Sequence, residues 1–379
     1  MSAEFSRDTL AEVRLASVRG VGPLIRGRLI DRFGDANNVL CASTQELTST
    51  QGVGPRLASS IHEAPDVETA LQQLQEAASR GIFATRIEQA EYPQRLREIY
   101  DPPAVLYHRG DLLPADLNAV AVVGTRRASR YGLRQAEAIA EGLARAGVTV
   151  VSGLARGIDA AAHRAAIRAG GRTLAVMAGG LMRIYPPEHD RLADEVAAHG
   201  ALISEAPPHV PPMSGSFPQR NRIISGLSLG VVVIEAAERS GALITARHAA
   251  EQGREAFAIP GPVDSNASRG AHRLIQEGAK LVMGVEDVLE EFEDQLAQER
   301  MGPIPTGTPV ADQKDLEIAS PTLNEDEAAL IRCIESQPTT IDIVAESAGA
   351  PVERVLVLLN SLETKGLVRR VSGSLVCRA

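Results

Sequence analysis

Arginines, glycines and hydroxyl side chains recur along the chain in groupings that could hold an anion. In "SFPQRNRIISGLS" (216–228), Arg220 and Arg222 flank Asn221, after a proline-rich stretch and before an apolar one. "GTRRASRYG" offers Gly124, Arg126 and Arg127; "SGLARGIDAAAH" offers Ser152, Gly153, Arg156 and Gly157. "ERSGALITARHA" carries Ser240, Gly241 and Thr245, and "SNASRGAH" carries Arg269 between Ser268 and Gly270. Glycine lets backbone N–H groups approach a phosphate, a helix N-terminus adds about half a positive charge, and arginine supplies a forked donor. One such loop means little. Five point to a site for several phosphates, with Arg220 and Arg222 each gripping one. Phe217 stands beside them, where it could stack on a base or pack against its neighbours.

The elements that must position these residues are legible from residue 119 onward. "AVAVVG" (119–124), "VTVVSG" (148–153), "TLAVMAGG" (173–180), "ALISE" (201–205), "LGVVVIEA" (229–236), "EAFAIPG" (255–261) and "AKLVMG" (279–284) read as strands. Helical patterns fall at 131–145, 158–169 and 245–252. Near-continuous apolar strands alternating with helices predict an α/β fold, a Rossmann-like doubly wound parallel sheet covered on both faces. Ligands of such sheets bind beyond the carboxyl ends of the strands, where all five loops fall. A dinucleotide site does not fit, because "GTRRAS" is not G-x-G-x-x-G and no acid follows the second strand. A P-loop is excluded, since no G-K-[ST] occurs. Asp159 and His163 share a helix face; we read them as a dipole-facing acid with a packed imidazole rather than an acid–base pair. Glu205, Glu235 and Glu238 read as caps of neighbouring loops. No catalytic residue is assigned.

Four segments follow from the patterning. Residues 1–82 read as a helical domain of helix-hairpin-helix or SAM-like type, with "GVGP" at 20–23 and again at 52–55. Glycine permits the turn and proline suits the first helical position; such a turn either faces a DNA phosphate or serves packing alone. Residues 83–292 form the extended Rossmann-like domain, in which 83–113 are a Pro-rich extension. Residues 293–322 are polar and acidic and read as a linker. Residues 323–379 read as a winged helix, with Gly349 at a turn and a Ser-Gly hairpin tip in "LVRRVSGSLVCRA".

The net charge of -9 is unevenly spread. Residues 286–327 hold thirteen acids and two bases, whereas 121–280 hold nineteen bases and fourteen acids. Only Lys280, Lys314 and Lys365 are lysines; every other base is arginine, the better phosphate fork. Three cysteines, Cys41, Cys333 and Cys377, lack metal spacing, so no metal is expected. No secretion signal and no run of membrane-spanning length is seen, so a cytoplasmic protein is expected, without membrane partners.

"VVGTRRASRYG", "VSGLARGIDAAAHRAA", "GGLMRIYPPEH", "SEAPPHVPPMSGSFPQRNRIISGLS", "VVIEAAERSGALITARHAAEQGREAFAIPG" and "SRGAHRLIQEGA" occur in that order. Together they resemble the DNA-processing protein A (DprA/Smf) family. The resemblance implies a non-catalytic, cofactor-free protein that binds single-stranded DNA, protects it during natural transformation and loads the RecA recombinase. It also implies a homodimer. Its DNA site would take Arg126, Arg127, the 152–157 loop, 217–222 and 240–245. Met182, His189 and His272 depart from residues common in that family. The competing expectation is a nucleotide-cleaving phosphoribohydrolase of a related Rossmann group. Its loop would carry a glutamate three residues after Thr245, where this chain has His248.

Overall fold

Both GVGP repeats open a helix. The computed structural model describes residues 5–300 and parts of 330–378. Helices α1 (Arg7–Ala16), α2 (Pro23–Phe33), α3 (Ala36–Cys41), α4 (Thr44–Thr48), α5 (Pro55–His62) and α6 (Val67–Ser79) precede the sheet. Pro23 and Pro55 sit in the first turns of α2 and α5, where a missing N–H costs nothing. Gly20 and Gly52 adopt φ of 100° and 91°, which only glycine tolerates well. The two hairpins interlock: a Cβ on Gly20 would stand 3.1 Å from Leu57, and one on Gly52 would stand 2.7 Å from Ile25.

The extension yields β1 (Ile82–Arg86), α7 (Gln94–Arg97) and β2 (Val105–Gly110). Then come β3 (Ala119–Val123), α8 (Arg130–Arg145), β4 (Thr149–Ser152), α9 (Ile158–Arg168) and β5 (Thr173–Val176). They are followed by α10 (Asp190–His199), β6 (Gly200–Ser204), α11 (Ser216–Gly226), β7 (Gly230–Val233) and α12 (Gly241–Glu251). β8 (Glu255–Ala258), α13 (Arg269–Gln276), β9 (Lys280–Leu281), α14 (Glu286–Leu289) and α15 (Glu293–Arg300) complete this part. All seven expected strands form. The sheet order is β1-β2-β6-β5-β4-β3-β7-β8-β9, parallel from β6 to β9. The Pro-rich extension adds β1 and β2 as antiparallel strands at one edge, so the sheet is mixed rather than purely parallel.

Alternation along β3 sends its side chains to opposite faces. Val120 and Val122 join the layer with Ile139 and Leu143 of α8; Ala121 and Val123 join the layer with Ile223 and Ile224 of α11. Each fully buried Val or Ile contributes about 1.5–3 kcal/mol of transfer free energy. Strand β3 is flanked by β4 and β7, so successive connections leave it in opposite directions. That reversal opens a crevice at the carboxyl ends of β3 and β7.

The chain divides into two compact units, Met1–Ile304 and Pro305–Ala379. Residues 293–300, expected to be linker, are helical: Glu293 and Asp294 supply acids to the first turn of α15, favourable to a helix dipole. In the second unit, β10 (Thr339–Thr340), β12 (Leu375–Arg378) and β11 (Val368–Ser372) form an antiparallel sheet in the order β10-β12-β11. The helix Ile341–Ala348 lies between β10 and β11 in the chain, and Leu330, Val344, Val355 and Leu359 share one core. Gly349 and the Gly373 tip lie outside the described residues.

Candidate nucleic-acid interface

The crevice between β3 and β7 is a pocket of about 280 Å³. Gly124 and Arg126 enter it from the loop after β3, and Ser240, Gly241 and Thr245 from the loop and helix after β7. Phe217, Arg220, Asn221 and Ile224 project from α11, and Asp159 from α9. Residues 216–222 were expected in a loop. They form the first two turns of α11, since Pro218 stands third in the helix, where proline is tolerated. Helix α12 also begins earlier than expected, at Gly241. Ser240 is its N-cap, accepting from the Ala242 N–H at 3.3 Å, so Thr245 lies within the helix.

Arg220 is the floor. Its side chain is buried, and Nη1 donates to the carbonyl oxygens of Gly153 (2.9 Å) and Val176. Gly153 is glycine because the guanidinium lies on it: a Cβ there would stand 2.5 Å from Nη1. Burial lowers the Arg220 pKa to about 10, the Asp159 carboxylate partly offsets this, and Arg126 adds to the fall. Asp159 is equally buried, and its carboxylate accepts from the N–H groups of Gly153 (3.1 Å) and Ala155 (3.3 Å). Burial raises its pKa, against the pull of Arg220. The pair fixes the loop after β4 beneath the pocket. His163 lies a turn further along α9. Thr173 Oγ1 donates to the Val150 carbonyl, so the imidazole Nδ1–H donates to Thr173 Oγ1 at 2.7 Å. Burial, foremost, holds the His163 pKa at about 3. His163 packs beside Asp159 as expected, whereas Asp159 holds the loop after β4 rather than facing only the dipole of its own helix.

Arg222 departs from expectation. It does not face the pocket: Nε donates to Asp101 Oδ2 at 2.9 Å and Nη2 to Glu205 Oε1 at 2.8 Å. Two residues along a helix turn a side chain by roughly 200°, so Arg220 and Arg222 point to different sides. The second arginine ties α11 to the end of β6 and to the loop before β2. Two of its three guanidinium nitrogens are held by carboxylates and the third, Nη1, is buried, which removes it from the expected phosphate contacts. Asn221 remains at the pocket and donates to the Gly241 carbonyl at 3.1 Å, joining α11 to α12.

The rim differs from the floor. Arg126 is exposed, and its guanidinium carbon lies 5.0 Å from the centroid of the Phe217 ring. Phe217 meets Tyr185 edge-on at 5.6 Å. A second hollow adjoins the pocket here, lined by Arg126, Gly153, Ala155, Arg156, Tyr185 and Phe217. Arg156 is half exposed and bonded through Nε to Glu188. The rim therefore presents cations and aromatic faces together, a combination that suits unstacked bases on a phosphate backbone.

A family model described as DNA recombination-mediator protein A matches residues 83–293, and one described as DprA winged helix domain matches 315–374. The chain belongs to the DNA recombination-mediator protein A family. It is 44% identical to Protein Smf of Escherichia coli over 287 residues, covering 75% of this chain and 74% of that one. It is 34% identical to Protein Smf of Synechocystis, covering 94% and 96%. The X-ray structure of DNA processing protein A from Streptococcus pneumoniae aligns with TM-score 0.66 and 35% identity, over 76% of this chain and 99% of that one. A solved structure of DNA processing protein A from Helicobacter pylori, described for its single-stranded DNA binding mode, aligns with TM-score 0.50 and 29% identity, over 56% and 96%.

The remaining expected residues have other places. Ser152 is buried and donates to the Val122 carbonyl at 2.6 Å, so it serves the sheet. Gly157 has φ of 76° and is pressed by the loop after β3: a Cβ would stand 2.4 Å from the Thr125 carbonyl oxygen. Arg127 is exposed, and its N–H donates to Thr125 Oγ1 at 3.2 Å; it lines neither hollow. Arg269 is exposed in the first turn of α13 and lines neither. Glu235 accepts from the Ser129 N–H at 2.9 Å and buttresses the start of α8. Sequence reading passed over Glu188, and over the exposed Ile244 on the pocket wall. An acid in "YPPEH" two residues after a cis Tyr-Pro bond carries no helical or strand signal of its own.

Proposed function

We propose that the chain binds single-stranded DNA at the crevice between β3 and β7, without sequence specificity. The observation that carries this is the exposed Arg126 guanidinium stacked on Phe217 at the pocket mouth. It offers one phosphate fork and one stacking face at a single point. Support comes from the Helicobacter pylori relative, described as binding single-stranded DNA. A duplex about 20 Å wide enters such a crevice poorly, whereas a splayed strand with free bases does not need that width. We assign the DNA contacts to Gly124, Arg126, Arg156, Phe217, Asn221, Ser240, Gly241 and Thr245, with Arg127 and Arg269 on the flanks. Arg220 sets the floor on which they stand.

In this reading the protein is a non-catalytic mediator that protects incoming strands and hands them to the RecA recombinase, working as a homodimer in the cytoplasm. The phosphoribohydrolase reading finds less support. His248, in the place of that group's glutamate, lies 3.3 Å from Glu251, and the pocket's acid, Asp159, is committed to Gly153, Ala155 and Arg220. Titration with a single-stranded oligonucleotide, its duplex and mononucleotides separates the readings. Preference for the single strand, with mononucleotides left uncleaved, is expected. Equal affinity for duplex and single strand, or release of free base, overturns it.

A further inference from the structure

One arginine that lines the second hollow is bonded to an acid of the chain itself. Arg156 precedes Gly157, the N-cap of α9, which offers no side-chain cap. Its guanidinium faces the hollow shared with Arg126 and Phe217, yet its Nε is bonded to the Glu188 carboxylate. Both side chains are about half exposed, 51% and 50%, so the pair is open to solvent and to ligand. The bond from Arg156, foremost, holds the Glu188 pKa below the ordinary carboxylate range, so Glu188 is charged at neutral pH. Tyr185, three residues before Glu188, is 39% exposed and lies edge-on to Phe217. The hollow itself is shallow, about 10 Å³, so a further nucleotide would lie across its mouth, where an arginine and an aromatic face stand next to the Arg126–Phe217 stack. It differs from the first pocket in that its arginine already holds partners of its own chain, Glu188 through Nε and, more weakly, Tyr185.

We propose that Glu188 is an internal competitor for the phosphate site of Arg156, displaced when a strand runs from the Phe217 pocket across Tyr185. This inference rests on the single-stranded DNA reading of the crevice. A carboxylate and a phosphodiester oxygen make the same charge-assisted bond to a guanidinium, so one replaces the other without rebuilding the loop. The exchange has a consequence for affinity. An exposed ion pair is weak, so its loss hinders binding only modestly. It has a consequence for specificity as well: a short anion cannot use the Tyr185 face and must still compete with Glu188, whereas a strand is held on both sides of it.

The test is a double-mutant cycle of Arg156→Ala and Glu188→Gln, read by binding of a thymidine oligonucleotide over a salt series, with thermal melts for all four proteins. Glu188→Gln removes the charge and keeps the size. It is expected to tighten binding by about two- to five-fold, the range of an exposed pair. It should also steepen the log–log salt dependence by up to about 0.7, one phosphate's share. In the Arg156→Ala background the same change should do nothing, because its effect runs through that fork. Binding that is unchanged or weaker in Glu188→Gln, with the melting temperature retained, overturns the inference. So does a gain that persists without Arg156, which would make Glu188 a general repulsive charge. Should Glu188→Gln melt early, Glu188→Asp, which keeps the charge on a shorter arm, takes its place and is expected to give a smaller gain. A wild-type chain that ignores the oligonucleotide contradicts the underlying reading and this inference together; wild-type binding with a flat cycle contradicts the inference alone.

Discussion

The floor of the crevice and its rim are both built around arginine, and they use it in opposite ways. At the floor Arg220 is buried, bonded to two backbone carbonyls and balanced by Asp159. Its neighbour Arg222 is buried and bonded to Asp101 and Glu205. At the rim Arg126 rests on an aromatic ring with its fork in solvent, and Arg156 is held by one exposed carboxylate. A buried guanidinium with all its partners inside the protein is a strut; an exposed one with a free or exchangeable edge is a grip. The position of an arginine in a motif does not say which it is. The identity of what lies within hydrogen-bond reach does.

The difference can be broken most severely at Arg220. Arg220→Ala leaves the Asp159 carboxylate without its counter-charge and the Gly153 and Val176 carbonyls without their donor. Each buried acceptor left without its donor costs about 1–3 kcal/mol, roughly 2–6 kcal/mol for the two carbonyls. Urea unfolding should show a loss of that size, and a near-wild-type midpoint would move Arg220 from the floor to the rim class. Arg222→Ala should cost less, about 1–3 kcal/mol for charge-assisted bonds whose acceptors reach solvent. Its DNA affinity, measured where the protein is folded, should stay close to wild type.

Acid should act on the floor and spare the rim. The His163 pKa is depressed by burial from the ordinary value to about 3, so the unfolded chain binds this proton first as pH falls. The stability tied to the neutral imidazole is therefore complete above about pH 6.5 and is lost on going down toward pH 3. The maximal slope is about 1.4 kcal/mol per pH unit for one proton. His163→Asn should flatten the dependence of urea midpoints between pH 6 and 4, and an unchanged profile would remove His163 from the account.

The strands were legible because each is a short apolar run closed by glycine or a polar residue, as "AVAVVG" and "LGVVVIEA" are. The convergence of their carboxyl-end loops followed from topology alone. What stayed hidden was non-local. Arg222 finds Asp101 across 121 residues and Arg220 finds Gly153 across 67, and no spacing rule links such pairs. Helix α11 was hidden by local composition: Ser216, Pro218 and the preceding Gly215 look like a loop, while packing of Ile223 and Ile224 on the sheet makes a helix of them. The strands β1 and β2 were missed for a similar reason, since prolines at 93, 102 and 103 lie between them rather than within them.

The rim residues should give the smallest changes in stability. Arg126→Ala removes no buried bond, so its unfolding free energy should stay within about 0.5 kcal/mol of wild type. The measurement that bears most directly on the account compares the salt dependence of oligonucleotide binding for wild type, Arg126→Ala and Arg222→Ala. Each phosphate contact on a single strand adds about 0.7 to the log–log slope. Arg126→Ala is expected to lose about that much and to melt like wild type, while Arg222→Ala keeps the wild-type slope and melts early. The reverse pattern, with Arg222→Ala flattening the slope and Arg126→Ala leaving it intact, would contradict the division between strut and grip.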